Sequence, residues 1–172
     1  MTRDHGFTLV ELLMVVMIIG ILAGIGASGL LRARSSANES SAIGALRTIA
    51  VAQIAYSSSC GYGNFAPGLA ELGVAPPGGG DGFLPPDLSN AAIVQKSGYL
   101  LQLSPSSDAV VGIAGCNGSP TQTGYYARGE PATYGLTGNR SFATTSPSGV
   151  IWQTYAAAAP GEPFAAPAQP VQ

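Results

Sequence analysis

The sequence predicts an α+β fold in which one long N-terminal helix packs against a small antiparallel β-sheet. Three observations predict it. Phe7 to Leu31 is a run of 25 residues with a single charged side chain, Glu11. From Leu31 to Ser57 there is no proline and one glycine, Gly44, while apolar residues recur at helical spacing. After Cys60 the chain turns abruptly to Gly/Pro-rich stretches that separate short β-type runs.

The first stretch is long enough to span a bilayer. At a rise of 1.5 Å per residue, 25 residues make roughly 37 Å of helix, against a hydrocarbon core of about 30 Å. A carboxylate at the centre of such a helix costs about 2.5–3.5 kcal/mol, and Glu11 sits one turn from the start, where the interface relieves part of that. A cation partner relieves more. The residues before it form a short polar leader that ends in Gly6, with the apolar run opening sharply at Phe7.

Gly6-Phe7-Thr8-Leu9-Val10-Glu11 resembles the amino-terminal pattern of type IV pilins and the related pseudopilins, and a looser likeness continues to about Tyr56. The resemblance implies that prepilin peptidase cuts after Gly6 and that the new terminus, Phe7, is N-methylated. It implies that Glu11 is required for ordered entry into a helical filament. The freed amine of Phe7, its own or a neighbour's, then lies within a turn of that carboxylate. The expected function is a structural subunit of a type IV pilus-like filament. The alternatives are the major pseudopilin of a type II secretion system and, outside the family, a membrane-anchored binding domain.

The same resemblance implies the partners: copies of the chain itself, the prepilin peptidase, an inner-membrane assembly platform, and membrane lipid before assembly. The location implied is the bacterial inner membrane as a single-pass subunit with its head outside the cytoplasm, then an extracellular or periplasmic filament. Two other readings of the segment are weaker. A secretory signal peptide has an apolar run of about 7–15 residues; this run is longer, although Ala27-Ser28-Gly29 resembles a cleavage site. A plain anchor is not excluded by charge, since Arg3 precedes the span and Arg32 and Arg34 follow it.

Composition agrees with a subunit that buries surface against its own copies. Charged residues are 9% of the chain, hydrophobic residues 46%, and the net charge is −2, which leaves no electrostatic footprint for nucleic acid. The two cysteines, Cys60 and Cys116, are expected to pair once exported to an oxidising compartment. The expected division is a leader at 1–6, a membrane and filament-core helix half at 7–31, a head at 32–155 that includes the rest of the helix, and a flexible Ala/Pro-rich tail at 156–172.

Within the helix, Ala42, Ala45, Leu46, Ile49, Gln53 and Tyr56 fall on one face and are expected under the head. Ser40, Ser41, Gly44, Arg47, Thr48 and Ala55 form an opposite, smoother face. Arg32, Arg34 and Arg47 are expected to anchor at the interface and to pair with Glu39. Gly20 and Gly24 form a small-xxx-small pair suited to close helix packing. The break is expected at Gly61-Tyr62-Gly63-Asn64, with a helical turn at Pro67–Leu72 and a loop from Pro76 to Pro86.

Expected strands are Tyr99–Leu103 and Ala109–Ile113 as a hairpin, Tyr125–Ala127, Thr133–Leu136, and Arg140–Thr145 paired with Gly149–Thr154. Pro147 and Gly149 favour a type I turn between the last two. No cofactor is expected. Asp81 and Asp87 flank the glycine-rich loop, where some pseudopilins bind calcium, but without spaced oxygen ligands a solvated loop is the plainer reading. No enzyme is expected either. The one histidine, His5, is in the leader, Gly78-Gly79-Gly80 lacks a following lysine, and a Glu71–Asp81 carboxylate pair has no supporting spacing. The aromatics in the strand runs read as core and cross-strand pairs.

Overall fold

A computed structural model describes residues 6–171, with the side chains of residues 25–28 left aside. Arg3 and His5 of the leader therefore lie outside the described residues, as do the side chains of Ala27 and Ser28. The element order is α1 (Leu9–Ser59), α2 (Leu69–Leu72), α3 (Pro86–Ser89), β1 (Ile93–Lys96), β2 (Tyr99–Pro105), β3 (Tyr125–Pro131), β4 (Ser141–Thr145), β5 (Ile151–Thr154) and β6 (Gln169–Pro170). The chain divides into two compact units, Met1–Arg34 and Ser35–Gln172.

In the first unit α1 carries apolar side chains on every face from Leu12 to Leu22, which is the composition of a helix made for lipid or for other helices. Its large side chains from Leu9 to Leu22 are 47–79% exposed. By length and composition the helix is able to cross a membrane. Gly20 and Gly24 have open space where a Cβ would stand.

In the second unit α1 becomes amphipathic, and the predicted stripe is the buried one. Leu46, Ile49, Gln53 and Tyr56 are fully buried, and Ala42 and Ala45 nearly so. Burying a leucine or isoleucine completely contributes about 1.5–3 kcal/mol. The Gln53 amide is satisfied like a strand neighbour: its Nε2 donates to the Ala66 carbonyl at 2.7 Å and its Oε1 accepts the Ala66 N–H at 2.9 Å. Gly44, Arg47, Thr48, Val51, Ile54 and Ala55 stay exposed.

The helix ends where predicted. The Gly61 and Gly63 N–H groups turn back to the Tyr56 and Ser57 carbonyls at 2.7 and 2.9 Å, which satisfies acceptors left open by the last turn. A Cβ on Gly61 would run into the Asn64 carbonyl oxygen and the Tyr56 ring.

The sheet is a six-stranded antiparallel meander in the order β1-β2-β3-β4-β5-β6. Tyr99, Leu101 and Leu103 of β2 and Tyr125 and Ala127 of β3 alternate toward the core they share with the helix stripe. Tyr125–Ala127 grows into β3, and the final pair is present, with Phe142 opposite Gln153 and Ala143 opposite Trp152. Its turn differs from the simple type I expectation: the Ser146–Pro147 bond is cis and Gly149 has φ 62°.

Three expectations need correction. Ala109–Ile113 is not a strand; β2 pairs instead with β1 and β3, and the 109–113 segment keeps an isolated bridge, Val111 with Gln122. Thr133–Leu136 is a tight turn in which the Leu136 and Thr137 N–H groups donate to the Thr133 carbonyl. Glu39 pairs with Arg140, at 2.7 Å, rather than with Arg32, Arg34 or Arg47.

The residues from Ala156 onward, expected as a flexible tail, lie against the sheet and are bonded to it. The Ser141 hydroxyl reaches the Ala156 and Ala157 carbonyls, the Tyr126 hydroxyl donates to the Pro160 carbonyl at 2.7 Å, and β6 pairs with β5. Phe164 packs on Trp152 and Tyr126 at ring distances of 5.4 and 6.3 Å. The segment covers the sheet face turned away from the helix, so Ser141 to Thr144 of β4 are all buried.

Candidate functional site

The amino-terminal junction holds the residues that the sequence singles out. Gly6, Phe7 and Thr8 precede the helix and are exposed, Phe7 at 76%. Thr8 occupies the N-cap position and Glu11 lies three residues on. The Thr8 hydroxyl accepts the Glu11 N–H at 3.3 Å and donates to Glu11 Oε2 at 3.4 Å. Threonine followed three residues later by glutamate is the spacing of a capping box. A carboxylate in the first turn also meets the positive end of the helix dipole. The local structure therefore holds the Glu11 carboxylate at the helix start, against the Thr8 hydroxyl. The Thr8 contribution is a residue that sequence reasoning missed, although the Thr-x-x-Glu spacing signals it.

At the other end of α1, Cys60 and Cys116 form a disulfide across 56 residues of sequence, and the Cys116 N–H donates to the Cys60 carbonyl at 2.8 Å. The bond ties the helix end to the loop before β3. The remaining candidates are not brought together. Asp87 is engaged with Lys96 at 2.6 Å, a hydrogen bond that holds its carboxyl below the usual range. Asp81 lines a groove of about 300 Å³ with Phe83 and Pro85, whereas Glu71 lines a separate one of about 220 Å³ with Leu103. Among the described residues no group of three or more His, Cys, Asp or Glu side chains is placed to hold a metal. The strand aromatics Tyr99, Tyr125 and Phe142 are core, and burial pushes both tyrosine hydroxyls up.

Fold and site together define a class: an apolar helix of membrane-crossing length, one carboxylate in its first turn, and a disulfide-linked α+β unit built on the second half of that helix. Residues 1–27 match the prokaryotic N-terminal methylation motif, which is the signature of type IV pilins and pseudopilins. That motif implies processing by prepilin peptidase and polymerisation into a filament, and it marks a secreted, membrane-anchored type of subunit. No curated protein and no solved structure matches the chain significantly.

Proposed function

We propose that this chain is a structural subunit of a type IV pilus-like filament. Cleavage between Gly6 and Phe7 creates the subunit, methylation of the Phe7 amine completes it, and the apolar part of α1 forms the filament core. The observation that carries this reading is Glu11, a lone carboxylate in the first turn of a helix whose large apolar side chains from Leu9 to Leu22 are all exposed. A carboxylate carried unpaired into a core of packed helices is costly. The amine freed at Phe7 is a cation within reach, so an incoming subunit settles when its Glu11 meets a terminal amine. The role is structural, with no catalytic step assigned to the chain.

The test is filament recovery measured alongside mature subunit in the membrane. Glu11→Ala should leave export, insertion and cleavage near normal, because the apolar run becomes longer, while filament yield falls steeply. Glu11→Gln should impair assembly as well, since it keeps the size and loses the charge. Normal filaments from Glu11→Ala at normal subunit levels would reduce the carboxylate to a helix cap.

A further inference from the structure

The segment after Ala156 adds β6 to the edge of β5, and a cavity opens beside that pair of strands. It holds about 340 Å³ and is lined by Arg140, Gln153, Gln169, Pro170 and Val171. Gln153 and Gln169 stand directly opposite one another in the β5–β6 register, so their side chains share one face of the sheet. The Val171 N–H donates to the Ile151 carbonyl at 2.8 Å and fixes the end of β6. The Arg140 guanidinium is held rigidly. Its Nε and Nη2 meet Glu39 Oε2 at 2.8 and 2.7 Å, and its Nη1 donates to Gln153 Oε1 at 2.7 Å. Its central carbon lies 5.5 Å from the centroid of the Phe142 ring.

Donors outnumber acceptors in this cavity. A guanidinium carries five N–H groups; Glu39 and Gln153 engage three of those on Arg140, which leaves two. Gln153 spends its amide oxygen on Arg140, so the unused end of that amide is its NH2 group. The Gln169 amide brings a second NH2 group, and its oxygen is the acceptor left over among the lining side chains. None of these remaining N–H groups meets a protein acceptor among the described residues. A ligand rich in acceptors is the complement. Glu39 already balances the Arg140 charge, so a dianion would bring charge that nothing here compensates. A carboxylate adds a single charge, and its two oxygens match the planar donors of guanidinium and amide. The volume lies at the low end of the roughly 300–1,000 Å³ usual for ligand sites, which limits the ligand to a few atoms beyond that group. We infer that Arg140, Gln153 and Gln169 form a binding site for one carboxylate, carried by a small acid or by the end of a peptide. The ligand bridges β5 and β6 through the two glutamines, so binding also fastens the last segment to the sheet.

The experiment uses the isotopically labelled full chain in detergent, in carboxylate-free buffer at fixed ionic strength. Acetate, N-acetylglycine, N-acetylglycinamide and inorganic phosphate are titrated while the side-chain amide resonances of Gln153 and Gln169 are followed. Acetate and N-acetylglycine should both give saturable shifts, and the amide and phosphate should bind at least roughly tenfold more weakly. Equal affinity for the two carboxylates assigns the site to small acids, whereas tighter N-acetylglycine assigns it to a peptide end. Exchange of the Val171 amide should slow in saturating acetate. Gln169 is exposed, so its variants should keep the melting temperature of the unaltered chain. Gln169→Ala should weaken acetate binding roughly fivefold, and Gln169→Glu should abolish it. No saturable shift, phosphate or the amide binding as tightly as acetate, or unchanged affinity in Gln169→Glu overturns the proposal.

Discussion

Glu39 and Arg140, 101 residues apart in sequence, hold one another by a charge-assisted hydrogen bond of 2.8 Å and a second guanidinium contact at 2.7 Å. The carboxylate also accepts the Asn139 N–H at 2.8 Å, and Arg140 reaches on to Gln153 at 2.7 Å with its guanidinium over the Phe142 ring. The Glu39 side chain is 8% exposed, so helix, turn and sheet are joined through one shielded pair. Removing one partner of such a pair leaves a charge without compensation. Glu39→Gln should destabilise the Ser35–Gln172 unit by about 3 kcal/mol, read by thermal unfolding of purified protein. Adding Arg140→Gln to it should cost clearly less than the two single losses combined.

The disulfide makes a separate prediction. Closing a loop of this size stabilises by about 4 kcal/mol in the chain-entropy model. Cys60→Ser with Cys116→Ser should lower the melting temperature by about 10–15 °C, at roughly 3–4 °C per kcal/mol for a unit of this size. Non-reducing peptide mapping of native protein should show the pair linked, and two thiols open to alkylation would contradict it.

Alkaline pH should weaken the fold. Burial raises the hydroxyls of Tyr56, Tyr99 and Tyr125, and takes Tyr126 to about 12. Above pH 10 the unfolded chain releases these protons while the folded chain keeps them. The unfolded state then binds fewer protons, and stability falls as pH rises. Unfolding followed against pH should show a loss that begins near pH 10, together with delayed tyrosinate absorbance. Tyr126→Phe should reduce the slope.

The segment after Tyr155 should behave as part of the fold. Ending the chain at Tyr155 removes Phe164 from Trp152 and takes the Glu162 carboxylate from Thr145 and the Ser107 N–H. Tryptophan emission should move to longer wavelength and β4 amides should lose exchange protection. An unchanged spectrum would restore the picture of a loose tail.

The helix stripe is legible because Leu46, Ile49, Gln53 and Tyr56 repeat every three or four residues, and periodicity is what burial imprints on a sequence. The β4–β5 pair is legible for similar local reasons. Ala109–Ile113 misleads because its valines and isoleucine face outward, so their β-propensity reflects no ladder. β1 escapes notice, since Gln95 and Lys96 give it little apolar alternation. The last segment does so because it is held by its own carbonyls, which accept from Ser141 and Tyr126, and carbonyls carry no sequence signal. Sequence proximity points Glu39 to nearby arginines and gives no sign of Arg140. Thr8 is overshadowed by the more conspicuous Glu11, although the two share hydrogen bonds.

The junction between Gly6 and Phe7 decides whether the chain matures into a filament subunit, and its most direct measurement is the intact mass and N-terminal fragmentation of protein from its native host. The predicted result is a mature chain that begins at Phe7 and carries one methyl group on its terminal amine, with Cys60 and Cys116 oxidised. A chain that retains residues 1–6, or one that begins near Ser28 or Gly29 as a signal peptidase product would, contradicts it.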